Sequence, residues 1–260
     1  MSTDATSALT ETLRRNETLW RYAPLAVGLC LALLPVERAW LLVFPELPSA
    51  LAGLAGTSAE EGYGLANITG FLADATLLLL LVRYWERLQW GSVGVRMISA
   101  RDLFIALALW FIDLRTKTFF ARMHWFAPPP PPLGSAPLVL SRKLGFAYIL
   151  AAVVVEELGS RAYIIERFMT LTGSVWIAGA ISMLASIMLH VPAWGVEGAL
   201  ARAPALLVFV LLYLWRRNLP LCLLTHLLFD VHLYTLIFLL KLPDPIRSWL
   251  LYVTGITSSP

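Results

Sequence analysis

The chain has 260 residues, 58% of them hydrophobic and only 14% charged, with mean hydropathy +0.72 and net charge +3. A water-soluble domain carries about 25% charged residues, so this chain has too little polar surface to coat a globule of its size in water. That excludes an ordinary cytosolic enzyme, a disordered chain and a nucleic-acid-binding domain, and leaves a polytopic membrane protein. The basic excess is mostly arginine, with lysine only at Lys117, Lys143 and Lys241. It fits juxtamembrane arginines better than a nucleic-acid face. Cys30 and Cys222 both lie in apolar runs and read as small buried hydrophobes.

Residues 1–20 are polar, with Asp4, Glu11, Arg14 and Arg15 ahead of any apolar run. They lack the basic-then-apolar layout of a cleavable signal peptide. A span needs about 20 apolar residues. The first candidate is 22–44, interrupted by Pro35, Glu37 and Arg38, and the second is 63–82, with Asp74 at membrane depth. The loop between them holds Glu46, Glu60 and Glu61, whereas Arg83, Arg87, Arg96 and Arg101 follow the second span. The excess of arginine then places the N-terminus and the 83–101 loop in the cytoplasm. Residues 103–112 are apolar but short, and Asp113, Arg115, Lys117 and Arg122 follow. This segment either spans with a ragged polar end or lies at the interface.

Pro128–Pro132 is an unbroken proline run that must be polyproline II. It divides the chain into N-terminal membrane helices with a cytoplasmic tail (1–127), a Pro-rich connector (128–143) and a C-terminal helical core (144–260). In that core, 144–168 predicts a helix entered through Ser141, 174–190 a helix stopped at Val191-Pro192, and 204–215 a helix closed by Arg216 and Arg217. Residues 219–240 predict a fourth helix and 248–256 a short last segment. The whole reads as an all-α, polytopic transmembrane bundle of about seven or eight membrane helices. Continuous apolar runs without two-residue alternation exclude a barrel.

An ionisable residue inside a span costs about 2.5–3.5 kcal/mol on insertion scales and is a functional-site candidate by default. The core concentrates them: Glu156, Glu157 and Arg161 on one helix, His190 on the next, and His226, Asp230 and His232 on the fourth. Glu157 and Arg161 are four apart, share a face and can pair. Glu156 is rotated by about 100° from Glu157 and lies over Ser160, so it is the carboxylate available for proton chemistry. His226 and Asp230 also share a face, and His232 points elsewhere.

A glutamate with two histidines can activate water for hydrolysis, and a second histidine with an Asp can face the developing oxyanion. Ser160 and Ser186 are nearby, but neither lies in a Gly-x-Ser-x-Gly frame. Two His and a carboxylate also make a zinc ligand set, although the His-Glu-x-x-His spacing is absent. Other readings of the same residues are a non-enzymatic immunity or scaffold protein and a proton-coupled carrier.

Three motifs occur in order: Glu156-Glu157-Leu158-Gly159-Ser160-Arg161, Ser186-Ile187-Met188-Leu189-His190 and His226-Leu227-Leu228-Phe229-Asp230. They resemble the Glu-Glu-x-x-x-Arg, Phe-x-x-x-His and His-x-x-x-Asn/Asp motifs of the CPBP family. That family comprises the CAAX prenyl proteases of the Ras-converting endopeptidase type and bacterial Abi and bacteriocin-processing relatives. The resemblance covers roughly 144–240. It implies a glutamic-type intramembrane endopeptidase without a metal or other cofactor, acting on a membrane-associated protein or peptide in the lipid bilayer. By that resemblance Glu156 activates water, His226 helps to position it, His190 and Asp230 occupy the oxyanion-hole positions, and Glu157 with Arg161 is the supporting ion pair. Ser186 stands where the family usually has Phe, and Asp230 where the eukaryotic enzymes have Asn. The arginine-rich, lysine-poor composition points to a bacterial plasma membrane.

Overall fold

The computed structural model describes residues 22–33, 41–122 and 142–231, the side chains of 117–122, 142, 143 and 193 excepted. The N-terminal tail, the proline run, the Ser141 cap, His232 and the expected segments beyond 231 lie outside the described residues. Every described element is helical.

Helix α1, Tyr22–Leu33, is followed by α2, Leu47–Ala55, which has Pro48 in its first turn and Gly56 in the left-handed conformation at its end. Helix α3, Ala59–Leu80, starts on the side chain of Ser58, which accepts the Glu61 N–H, and Glu60 and Glu61 complement the helix dipole. It runs on through a π-helical turn, Leu81–Trp85. Helix α4, Ala100–Arg122, opens on a reciprocal cap. The Asp102 N–H donates to the Ser99 hydroxyl oxygen, and the Ser99 N–H donates to Asp102 Oδ2.

Helix α5, Arg142–Glu156, passes into a π-helical segment, Glu157–Tyr163, and then into α6, Ile164–Thr172. Gly173 in the left-handed conformation ends α6, and Ser174 caps α7, Val175–Ala201. Helices α8, Ala203–Arg216, and α9, Leu219–Asp230, complete the described core. Asn218 caps α9 by accepting the Leu221 N–H.

The motif-bearing helix is held from several sides: α3 packs along α5, α7 on α6 and α8, and α9 against α4 and α5. Helix α1 approaches the π segment through small residues. A Cβ on Gly28 would fall 2.0 Å from Tyr163 Oη, and one on Gly159 would meet Ala32 at 3.3 Å. Gly28 and Ala32 are one turn apart, the spacing that lets membrane helices pack backbone to backbone. Phe71 of α3 and Tyr148 of α5 meet edge to face at 5.5 Å.

Two described helices are long and apolar enough to cross a bilayer, Ala59–Trp85 and Val175–Pro192. Trp194–Ala201 and Ala203–Arg216 form a third candidate, bent by 55°.

One continuous helix carries both the apolar stretch 103–112 and the Asp113 and Arg115 that follow it. The structure revises two expectations. Helix α7 passes through Pro192 and breaks instead at Gly195, whose φ of 66° and ψ of 176° suit only glycine. Cys222 is buried, but Cys30 is exposed on α1.

Candidate active site

The π segment sets out the first motif. Its widened backbone leaves the Ser160 carbonyl to accept the Ser182 hydroxyl of α7 at 2.6 Å, while the Ser160 hydroxyl donates back to the Glu156 carbonyl at 2.5 Å. π-Helical turns of this kind recur at functional sites. Here the turn locks the motif helix to α7 through buried serines. Ser186 likewise donates to the Ser182 carbonyl at 2.8 Å. Ser160 and Ser186 are both buried with their hydroxyls committed to backbone carbonyls, which disfavours either as a nucleophile.

Five of the six expected site residues form one cluster. His226 Nδ1 lies 2.8 Å from Glu157 Oε1, and because a carboxylate only accepts, Nδ1–H is the donor. This leaves His226 Nε2 facing Asp230 Oδ2 at 3.4 Å and Glu156 Oε2 at 4.0 Å. Arg161 Nε approaches Glu157 Oε1 at 3.6 Å, and Arg161 Nη1 donates to the Ser160 hydroxyl.

The cluster is graded by depth. Glu157 and Arg161 are fully buried, His226 nearly so, Glu156 is 30% exposed and Asp230 48%. The imidazole therefore joins a buried carboxylate on one nitrogen to two accessible carboxylates on the other. Such an arrangement fixes the tautomer of the ring.

Glu157 thus has a second partner beyond its helical neighbour Arg161. It is hydrogen-bonded across the core to His226, 69 positions away in sequence. His190 stands apart. Its Nδ1–H donates to the Ser186 carbonyl of its own helix at 2.8 Å, which leaves Nε2 without a hydrogen bond among the described residues on a half-buried ring. It forms no hydrogen bond or ion pair with the other five among the described residues.

Two neighbours were not singled out from the sequence. Phe209 of α8 stacks on the His226 ring, with centroids 4.4 Å apart, and packs on Phe229 and beside the Arg161 guanidinium. Arg202, at the break between α7 and α8, stacks on Trp194 and donates to the Gly198 carbonyl at 3.0 Å. Glu156 and Asp230 both lie within electrostatic reach of its guanidinium. That electrostatic link emerges only once the chain is folded, because nothing in the local sequence pairs Arg202 with the two carboxylates. No group of three or more His, Cys, Asp or Glu among the described residues is disposed to hold a metal ion.

Residues 139–232 match the family described as Rce1-like, type II CAAX prenyl endopeptidase Rce1-like. The match contains all three motifs, and so singles out the same segment as the resemblance drawn from them. No curated protein and no solved structure matches the chain.

Proposed function

We propose that this protein is a glutamic-type intramembrane endopeptidase that hydrolyses a peptide bond of a membrane-associated protein or peptide. The observation that carries the reading is the cluster itself, in which Glu156 and Asp230 flank the Nε2 of a histidine whose Nδ1 is tied to a buried glutamate. Ionisable residues within spans are costly and mark functional-site candidates by default. The family match of residues 139–232 supports the same reading.

In this reading Glu156 takes the proton from water and His226 orients that water through Nε2. Glu157 holds the His226 tautomer, and Arg161 offsets the charge of Glu157. His190 and Asp230 face the developing oxyanion, His190 through Nε2. A bare carboxylate would repel an oxyanion, so Asp230 acts through its contact with His226 and under the positive field of Arg202. The roles need no metal or other cofactor. The full chain is then a bundle of about seven or eight membrane helices in a bacterial plasma membrane with its N-terminus in the cytoplasm. Processing of a C-terminal anchor or sorting signal fits a site at membrane depth.

The test compares the C-termini of membrane proteins in cells lacking the gene and complemented with wild type or Glu156→Gln. One or more membrane proteins should remain longer in the null and the Glu156→Gln cells than in the wild type. Identical C-termini in all three would sink the reading. The purified wild type should cleave the identified substrate equally well with and without a metal chelator, and loss of cleavage would point to metal chemistry instead.

A further inference from the structure

Arginines collect at one end of the bundle. The contacts that bring that end together are the Leu219 N–H donated to the Gly94 carbonyl at 2.8 Å and the Asn218 amide donated to the Met97 carbonyl at 3.3 Å. The acids there are already used. Glu86 pairs with Arg167, Asp102 with Arg216, and Glu166 with Arg217. Arg83, Arg87, Arg96 and Arg101 are all exposed and form no ion pair among the described residues. Four positive charges between residues 83 and 101 are therefore left without a carboxylate among the described residues.

The apolar side chains between them locate the surface. Tyr84, Trp85, Trp90 and Met97 are exposed, Met97 by 93%. Residues 95–99 are non-helical, and open backbone of this kind is not tolerated in hydrocarbon. The loop therefore sits where its backbone meets water and its aromatic rings meet the membrane, at headgroup level. Arg101 also lies over the exposed Trp215 ring at 6.0 Å. Arg87 adds a further sign. It closes the α3 π turn in the left-handed conformation, φ 57°, where glycine would be unstrained. The strain is tolerated at a position that aims a guanidinium outward.

We propose that this end of the bundle is a docking surface for anionic phospholipid headgroups, with Arg83, Arg87, Arg96 and Arg101 taking the phosphates and the interleaved aromatic rings seated among them. Juxtamembrane clusters of this size attract anionic lipid electrostatically, and guanidinium groups bind phosphate in a forked geometry. The proposal is independent of the hydrolytic reading.

The test uses the full chain in phosphatidylcholine nanodiscs and in nanodiscs where phosphatidylglycerol replaces part of the phosphatidylcholine. The melting temperature of the wild type should rise by about 2–4 °C with the anionic lipid. The quadruple Arg83→Gln, Arg87→Gln, Arg96→Gln, Arg101→Gln variant should melt like the wild type in neutral discs and show no rise. The corresponding four-lysine variant should retain most of it. In the wild type alone, about 1 M salt should abolish the rise, because the screening length there is about 3 Å. An equal rise in the glutamine variant, no rise in the wild type, or a rise that survives high salt would overturn the proposal. So would an equal rise on adding free glycerol phosphate to neutral discs, which would make the site one for a soluble phosphate.

Discussion

Replacing Glu157 by leucine should unfold the site from within. In the wild type one carboxylate oxygen accepts from His226 at 2.8 Å and lies 3.6 Å from Arg161, with Glu157 and Arg161 both buried. A charge-assisted hydrogen bond contributes about 1.5–3 kcal/mol. Stripping one partner from a buried ion pair costs about 3–5 kcal/mol, because the other charge is left behind. The two figures overlap rather than add, since Arg161 keeps the Ser160 hydroxyl and the Phe209 face. A loss of about 3–5 kcal/mol corresponds to a fall in melting temperature of roughly 6–20 °C for a chain of this size. Thermal melts in detergent read it directly. The Glu157→Leu, Arg161→Leu double variant should recover at least about 2 kcal/mol relative to the sum of the single losses, because no buried charge remains unpaired. Melting of Glu157→Leu within about 2 °C of the wild type, or strict additivity of the two losses, would refute the buried network.

Gly28→Leu should destabilise the chain by at least about 1–3 kcal/mol by overpacking, because even a Cβ there lies 2.0 Å from Tyr163 Oη, and Tyr163 is fully buried and donates to Glu86 at 2.8 Å; circular dichroism melts would show it. Asp102 should give the fold an acid-sensitive component. The backbone and hydroxyl of Ser99, and then Arg216, hold its carboxyl down at about 2 from an ordinary 3.8. Its folded value lies below its unfolded one, so its contribution is present above about pH 4 and is lost as pH falls through about 2; melts between those limits should fall for the wild type and lose this component in Asp102→Asn. Phe209→Leu should preserve the fold yet lower kcat on the identified substrate by about 10-fold or more, since the stack that sets the His226 ring is lost; unchanged kcat would show that the ring is held by Glu157 alone.

Local chemistry was legible in the sequence wherever a few neighbouring residues decide it. The helix expected from 174 starts there, Arg216 and Arg217 mark the end of α8, and Glu157 and Arg161 meet because they are four apart. What escaped depends on contacts between distant segments. Pro192 reads as a helix stop, yet α7 continues and yields only at Gly195, where glycine alone fits the backbone. The π turn at Glu157–Tyr163 has no periodic signature and depends on Ser182 reaching the Ser160 carbonyl. The partnership of Glu157 with His226, the Phe209 stack and the nearness of Arg202 to Glu156 and Asp230 arise only when α5, α8 and α9 meet. The packing of α1 on the motif helix through Gly28 and Ala32 was hidden because small residues carry no hydropathy signal.

The most direct measurement is the rate of peptide-bond cleavage by the purified, membrane-reconstituted protein and its Glu156→Gln variant on the substrate whose C-terminus lengthens in the null cells. Glutamine keeps the size and hydrogen-bonding reach of Glu156 but cannot take a proton from water. Folding and substrate binding should be retained while cleavage falls by at least about 10²–10⁴-fold, the range that a general base supplies. Cleavage by Glu156→Gln at the wild-type rate would contradict this role of Glu156.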